Sequence, residues 1–303
     1  MNNFWSKIKY VIVFILCQSA LLGLAISAAE AQQPELQVKY AKSSNIDPLY
    51  KKNTEYFYEL FNLALQKSST PYTVKTIRIP ASIEQDRSLI LMNEGYYDAH
   101  WYTTNASRER ELLPIRIPLF KGLIGLRLMF VHPDNVNMFA DVNQVEKLKS
   151  YIGGQGRSWP DTTLLKSQGF HIETATGADG LLRMLNAKRI DYFPRSILEI
   201  WHEKNVIEDL DLAIDQHIAI RYPLAIYFFV RKDNQKLHDI IQLGLTNAIK
   251  DGSFDKIFNR YYSDIIEKSH LPKRKIFNLP NLNMTPATPL DKPELWYSIK
   301  NAR

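Results

Sequence analysis

Residues 72–101, YTVKTIRIPASIEQDRSLILMNEGYYDAHW, decide the fold. Tyr72 to Ile79 alternates apolar and polar side chains, the period of a half-buried strand. Gln85 to Asn93 has helical apolar spacing and stops before Gly95, a residue suited to the position just past a helix end. A further strand begins within Tyr97–Trp101. Upstream, Leu36 to Ala41 reads as a strand, and Thr54 to Gln66 as a helix with Phe57, Leu60, Phe61, Ala64 and Leu65 on one face. Strands and helices that alternate in this way predict a mostly parallel sheet flanked by helices.

A second alternating unit follows. Strands are expected near Tyr151–Gly153, His171–Thr174 and Ile190–Phe193, with helices near Pro160–Ser167 and Leu181–Asn186. Two strongly apolar segments, Gly125–Val131 and Leu224–Val230, bracket this second unit and are expected to join the two halves. Helices near Asn234–Lys250 and Phe254–Tyr262 return to the first half. The expected organisation is an α/β protein of two lobes joined by two hinge strands. Lobe 1 takes residues 32–131 and 224–270, and lobe 2 takes residues 132–223. A proline-rich tail, 271–303, is expected to pack on lobe 1 as extended chain.

The N-terminus reads as an export signal. Lys7 and Lys9 precede an apolar run from Tyr10 to about Ala28, and Ala29-Glu30-Ala31 supplies small residues for cleavage after Ala31. The run is also long enough for an uncleaved anchor. Lipid attachment at Cys17 is disfavoured by the bulky Leu16 before it. Cleavage takes away the single cysteine, so no disulfide or thiol chemistry is expected. The composition, 45% hydrophobic and 12% aromatic, supports packed cores rather than disorder. The net charge of +6 is mild and scattered, which suits an anionic solute and argues against nucleic-acid binding.

Four short motifs, in order, carry a resemblance. They are Gly95-Tyr-Tyr-Asp98-Ala99, Ser107-Arg-Glu-Arg110, Lys188-Arg-Ile-Asp191 and Asp251-Gly-Ser-Phe-Asp-Lys-Ile-Phe258. Together they resemble family 3 periplasmic solute-binding proteins, the amino-acid-binding type with the type II periplasmic-binding-protein fold. Strings such as Gly154-Gln-Gly-Arg-Ser-Trp-Pro-Asp161 and Asp191-Tyr-Phe-Pro-Arg195 are similar to those of one subgroup of that family. The resemblance implies an exported, monomeric, non-catalytic protein without cofactors. It would capture a small anionic or amino-acid-like solute and pass it to a membrane permease, or report it to a sensor.

The resemblance also implies a site. The matching arginine is Arg110, with Arg108 as the alternative; guanidinium grips a carboxylate with two parallel hydrogen bonds. Either could instead be solvated in the Arg-Glu-Arg-Glu run. Thr103 and Thr104 match small polar contacts at a strand end. Across from them, Arg157, Ser158 and Trp159 precede Pro160, with Ser158 as the expected helix cap over a run of free N–H groups. Amino-acid binders of the family carry an acid a few positions after the second-lobe aspartate. Here Ser196 stands in that place beside Arg195, which favours an anion over an ammonium, unless Arg195 pairs with Glu199 along a helix starting near Pro194. Tyr40, Trp101 and Tyr102 are candidate aromatic walls. A dehydratase-like enzyme on the same scaffold would need an acid or base in the cleft, and His100 and Glu173 are candidates only by default.

Overall fold

A computed structural model describes residues 35–44, 47–80, 85–206 and 210–299. The expected leader, 1–31, lies outside the described residues. No described helix is long and apolar enough to cross a membrane. In chain order the strands are β1 (Leu36–Ser43), β2 (Tyr72–Ile79), β3 (Ala99–Thr103), β4 (Leu112–Ile115), β5 (Leu126–Val131), β6 (Ile152–Gly156), β7 (His171–Ala175), β8 (Tyr192–Ser196), β9 (Ala213–Ile214), β10 (Ile218–Arg221), β11 (Ile226–Arg231) and β12 (Lys275–Asn278). The helices are α1 (Pro48–Lys67), α2 (Gln85–Asn93), α3 (Ala106–Glu111), α4 (Val145–Lys149), α5 (Pro160–Ser167), α6 (Ala178–Asn186), α7 (Ile200–Val206), α8 (Gln235–Lys250) and α9 (Ser253–Lys268).

Two sheets form. Lobe 1 is built on the order β2-β1-β3-β11-β4, and lobe 2 on β12-β10-β5-β8-β6-β7, with β9 paired to β5. The long helix α1 starts where Asp47 Oδ1 accepts the Tyr50 N–H and Pro48 fits the first turn. Its buried face, including Phe57, Leu60 and Phe61, lies against Tyr40 and Phe228 of the sheet. Further along this helix Gly244 of α8 sits so close that an added Cβ would fall 1.7 Å from the Ala64 carbonyl oxygen. Only a glycine lets the two helices touch there.

The lobe boundary differs from the expectation. β5 belongs wholly to lobe 2, pairing antiparallel with β8 (Leu128 opposite Arg195) and with β10. The first crossing is therefore the turn at 122–125, not the strand after it. The return crossing, 222–225, lies against the first: Tyr222 N–H donates to the Gly125 carbonyl at 3.1 Å. The apolar strands were legible, but periodicity does not say which sheet a buried strand joins.

The tail also departs from its expected place on lobe 1 alone. β12 extends the lobe 2 sheet, parallel to β10, and Phe277 and Leu279 are buried in the lobe 2 core. Residues further on reach lobe 1, where Met284 and Trp296 pack against its core cluster.

The crossing predicts a sharp mutational response. A Cβ at Gly125 would lie 2.1 Å from the Tyr222 carbonyl oxygen, a backbone atom that moves only if the crossing moves. Gly125→Ala should cost about 1–3 kcal/mol by overpacking, read as a lowered midpoint in chemical denaturation.

Candidate functional site

A cleft of about 500 Å³ opens between the lobes. One wall is Thr103, Thr104, Asn105 and Arg108 at the carboxyl end of β3; the other is Ser158, Trp159, Pro160 and Asp161 at the start of α5. Ligands of open α/β sheets bind outside strand carboxyl ends, so the location is the expected one for this topology.

Local chemistry sets the lobe 1 wall. Asn105 caps α3 by accepting the Arg108 N–H at 2.9 Å. Arg108 then turns back: its Nη1 donates to the Thr103 carbonyl at 2.5 Å, and its guanidinium stands 5.9 Å from the Tyr102 ring centre. Thr104 Oγ1 donates to Glu109 Oε1 at 2.6 Å, and Arg116 donates to the other Glu109 oxygen at 2.5 Å. Residues two apart on a helix project to opposite sides. Arg108 thus lines the cleft, whereas Arg110, the residue that motif spacing indicated, is exposed and not among the cleft-lining residues.

On the lobe 2 wall, Trp159 rather than Ser158 occupies the cap position of α5, with no side-chain cap bond. Glycine at 156 is needed here, because a Cβ would lie 2.3 Å from the indole. Trp159 stacks on Phe193 at 6.1 Å, and the Arg195 guanidinium lies 4.8 Å from the indole centre. Arg157 is exposed and absent from the cleft lining.

Behind that wall lies a buried charge network. Arg127 pairs with Asp161 at 2.6 Å, donates through Nε to Tyr222 Oη at 2.7 Å, and reaches Glu199 at 3.4 Å. Arg195 binds Glu203 through Nε and Nη2, the latter at 2.5 Å, and Glu199 at 3.3 Å. Burial works against both charges, yet the carboxylates hold each arginine above its ordinary pKa. Arg195 sits on β8, not on a helix from Pro194, and is engaged by two glutamates instead of facing a solute. Ser196 is fully buried, its hydroxyl accepting from Leu198 N–H at 3.2 Å.

Of the aromatic candidates, Tyr40 and Tyr102 are core residues and Trp101 is half-buried. Tyr40 is packed between Tyr58 and Phe61, and burial raises its pKa well above that of a free phenol. Tyr102 is buried with its hydroxyl 2.8 Å from Ser88 Oγ. Trp101 packs on Phe57 at 4.7 Å. His100 is 4% exposed inside lobe 1, where desolvation pushes its pKa down to about 4. Glu173 is exposed on the edge strand β7. Neither is a cleft residue. No group of three or more potential metal ligands occurs among the described residues.

The cleft also holds side chains that sequence reasoning missed: Asn105, Asp161, Leu224 and, from the tail, Asn281, Asn283 and Met284. An Asn before a short helix and an Asp in a first helical turn are cap signals and could have been read as such. The tail residues carry no local signal, because only the chain path brings them there.

No protein-family model matches this sequence, and no curated protein sequence does. Solved structures match the fold. A probable amino-acid ABC transporter extracellular-binding protein, ytmK, from Bacillus subtilis aligns over 76% of this chain and 99% of its own, at 16% identity and a TM-score of 0.55. The VFT2 domain of Bordetella pertussis BvgS aligns over 74% of this chain and 93% of its own, at 16% identity and 0.53. A structure from work on glutathione import via GshT and the cystine importer TcyBC of Streptococcus mutans covers 75% of this chain and 95% of its own, at 14% identity and 0.50. The chain has the two-lobed fold of type II periplasmic binding proteins. At these identities the likeness is one of fold.

Two outcomes follow from the geometry. Arg127→Met removes one partner of a buried pair and strands Asp161, so it should cost about 3–5 kcal/mol in denaturant unfolding, whereas Arg110→Ala should stay within about 0.5 kcal/mol. His100 binds a proton more readily unfolded (pKa near 6.5) than folded (about 4). Its contribution is therefore complete above pH 6.5 and is lost as pH falls towards 4, about 3 kcal/mol in all. Stability measured across that window should fall less steeply in His100→Gln.

Proposed function

We propose that this protein is exported and captures a small amino-acid-like solute between its lobes, without turning it over, for delivery to a membrane transporter. The observation that carries the reading is the placement of groups of opposite charge on the two walls of one cleft, Arg108 on the lobe 1 wall and Asp161 on the lobe 2 wall. Arg108 would take the solute carboxylate, helped by the first N–H groups of α5. Asp161, whose Oδ2 is held by Arg127, would offer its other carboxylate oxygen to the ammonium or another donor.

The charge balance favours a zwitterion over a dianion. Arg195 is held by Glu199 and Glu203, and Arg127 by Asp161 and Glu199, so neither guanidinium is available for a second acidic group. The network contains three carboxylates and two guanidiniums, and Asp161 is the carboxylate that borders the cleft. Export is supported by the leader-like N-terminal pattern. Capture without chemistry is supported by the site: His100 and Glu173 are not among the residues that line the cleft.

Thermal-shift and calorimetric titration against free amino acids and dicarboxylates test this reading. One or more amino acids should bind and raise the melting temperature. Arg108→Ala should weaken that binding by at least about tenfold, the loss of one charge-assisted bidentate contact, and Arg110→Ala by less than about twofold. Binding of dicarboxylates alone, or equal loss at both arginines, contradicts it.

A further inference from the structure

The tail does more than cover a surface. It leaves the lobe 2 sheet at Asn278, and Gln168 Nε2 holds the Pro280 carbonyl at 2.6 Å. Asn281 Nδ2 then donates to the Pro223 carbonyl in the return crossing at 2.8 Å. The Asn283 N–H closes onto Asn281 Oδ1 at 3.1 Å, and Met284, partly buried, packs against the lobe 1 core cluster. Thr285 Oγ1 donates to Glu109 Oε1 at 3.0 Å, on the residue next to Arg108. Within six residues the chain passes from one lobe to the other, and three of them line the cleft.

Its far end returns to the hinge. The Trp296 ring lies on Gly122 of the first crossing, 2.5 Å from where a Cβ would stand, and its indole N–H donates to the Pro289 carbonyl at 2.8 Å. Tyr297 N–H donates to the Lys121 carbonyl at 2.7 Å, and Arg221 Nη2 donates to the Tyr297 carbonyl at 3.1 Å. Lys121 precedes one crossing and Arg221 precedes the other, so this end touches both.

We propose that the segment 279–297 is a hinge clamp and a third wall of the solute site: it limits how far the lobes open, and through Asn283 and Met284 it sets the size of solute admitted. Two crossings that meet at Gly125 and Tyr222 leave bending about one axis free. A third connection, anchored in both lobes and on both crossings, removes most of that freedom unless an anchor releases. The third-wall part rests on the cleft being the solute site. The clamp part does not.

The test uses the full chain, freed of any retained solute by unfolding and refolding. Spin labels at Ile90→Cys in lobe 1 and Ile152→Cys in lobe 2, in a Cys17→Ser background, report the inter-lobe distance distribution by pulsed electron resonance. A protease site inserted after Leu282, which is 84% exposed, allows the strap to be cut after folding. The intact chain should give one narrow distribution, and the cut chain one at least about twofold broader. An uncut Trp296→Ala chain, freed at the hinge end, should broaden likewise. Broadening in either supports the clamp, and unchanged widths in both overturn it. Because no solute is present, failure here leaves amino-acid capture standing, and failure to find a binding amino acid leaves the clamp standing. For the wall, Met284→Ala should extend binding to larger side chains; an unchanged ranking of solutes overturns that part.

Discussion

The lobe 2 wall of the cleft depends on the buried Arg127 guanidinium. It enters lobe 2 two residues past Gly125, bonds Tyr222 from the return crossing, and pairs with Asp161 in the first turn of α5. One side chain therefore joins the hinge to the cleft wall. A charge taken so far out of water persists only when its partners are well placed. The carboxylates around it supply that condition, and the same groups fix where α5 begins relative to the crossing.

The network also determines what remains for a solute. Arg195, held between two glutamates, rests against Trp159 and braces the indole from the lobe 2 side. In the proposed site, polar selection would fall to Arg108, Asp161 and the small groups around them. Arg108 is aimed by its neighbours: the Asn105 cap starts the short helix, the Thr103 carbonyl takes one nitrogen, and Glu109 ties the helix to Arg116 and to the tail. The tail thus meets the site through Glu109, next to the arginine proposed to grip the carboxylate.

Much of the fold was legible in the sequence because its elements are strongly periodic. The β2 strand and the α2 and α5 helices fall on the expected residues, and the alternation of strand and helix gives two sheet units. The short elements were not legible. The six-residue α3 is too short for a periodic signal, and without it Arg108 and Arg110 cannot be told apart by spacing. Arg195 misled for a related reason. Pro194 suggested a helix start, yet it sits in β8 opposite Met129, and Glu203, the second partner of Arg195, is brought in by α7. Asp161 was visible as a first-turn acid, but its role depends on Arg127, which is far away in sequence. The tail was readable as extended chain, and its path across both lobes was not, since extended segments carry no pattern that names their partners.

The measurement that bears most directly on the central claim is native mass spectrometry of the freshly purified protein and of its Arg108→Ala variant. The account predicts that the parent chain carries a small adduct, released on denaturation and identified as a compound with one carboxylate and one amine, and that the variant is empty. A retained dicarboxylate or other amine-free acid, or an adduct unaffected by loss of Arg108, would contradict it.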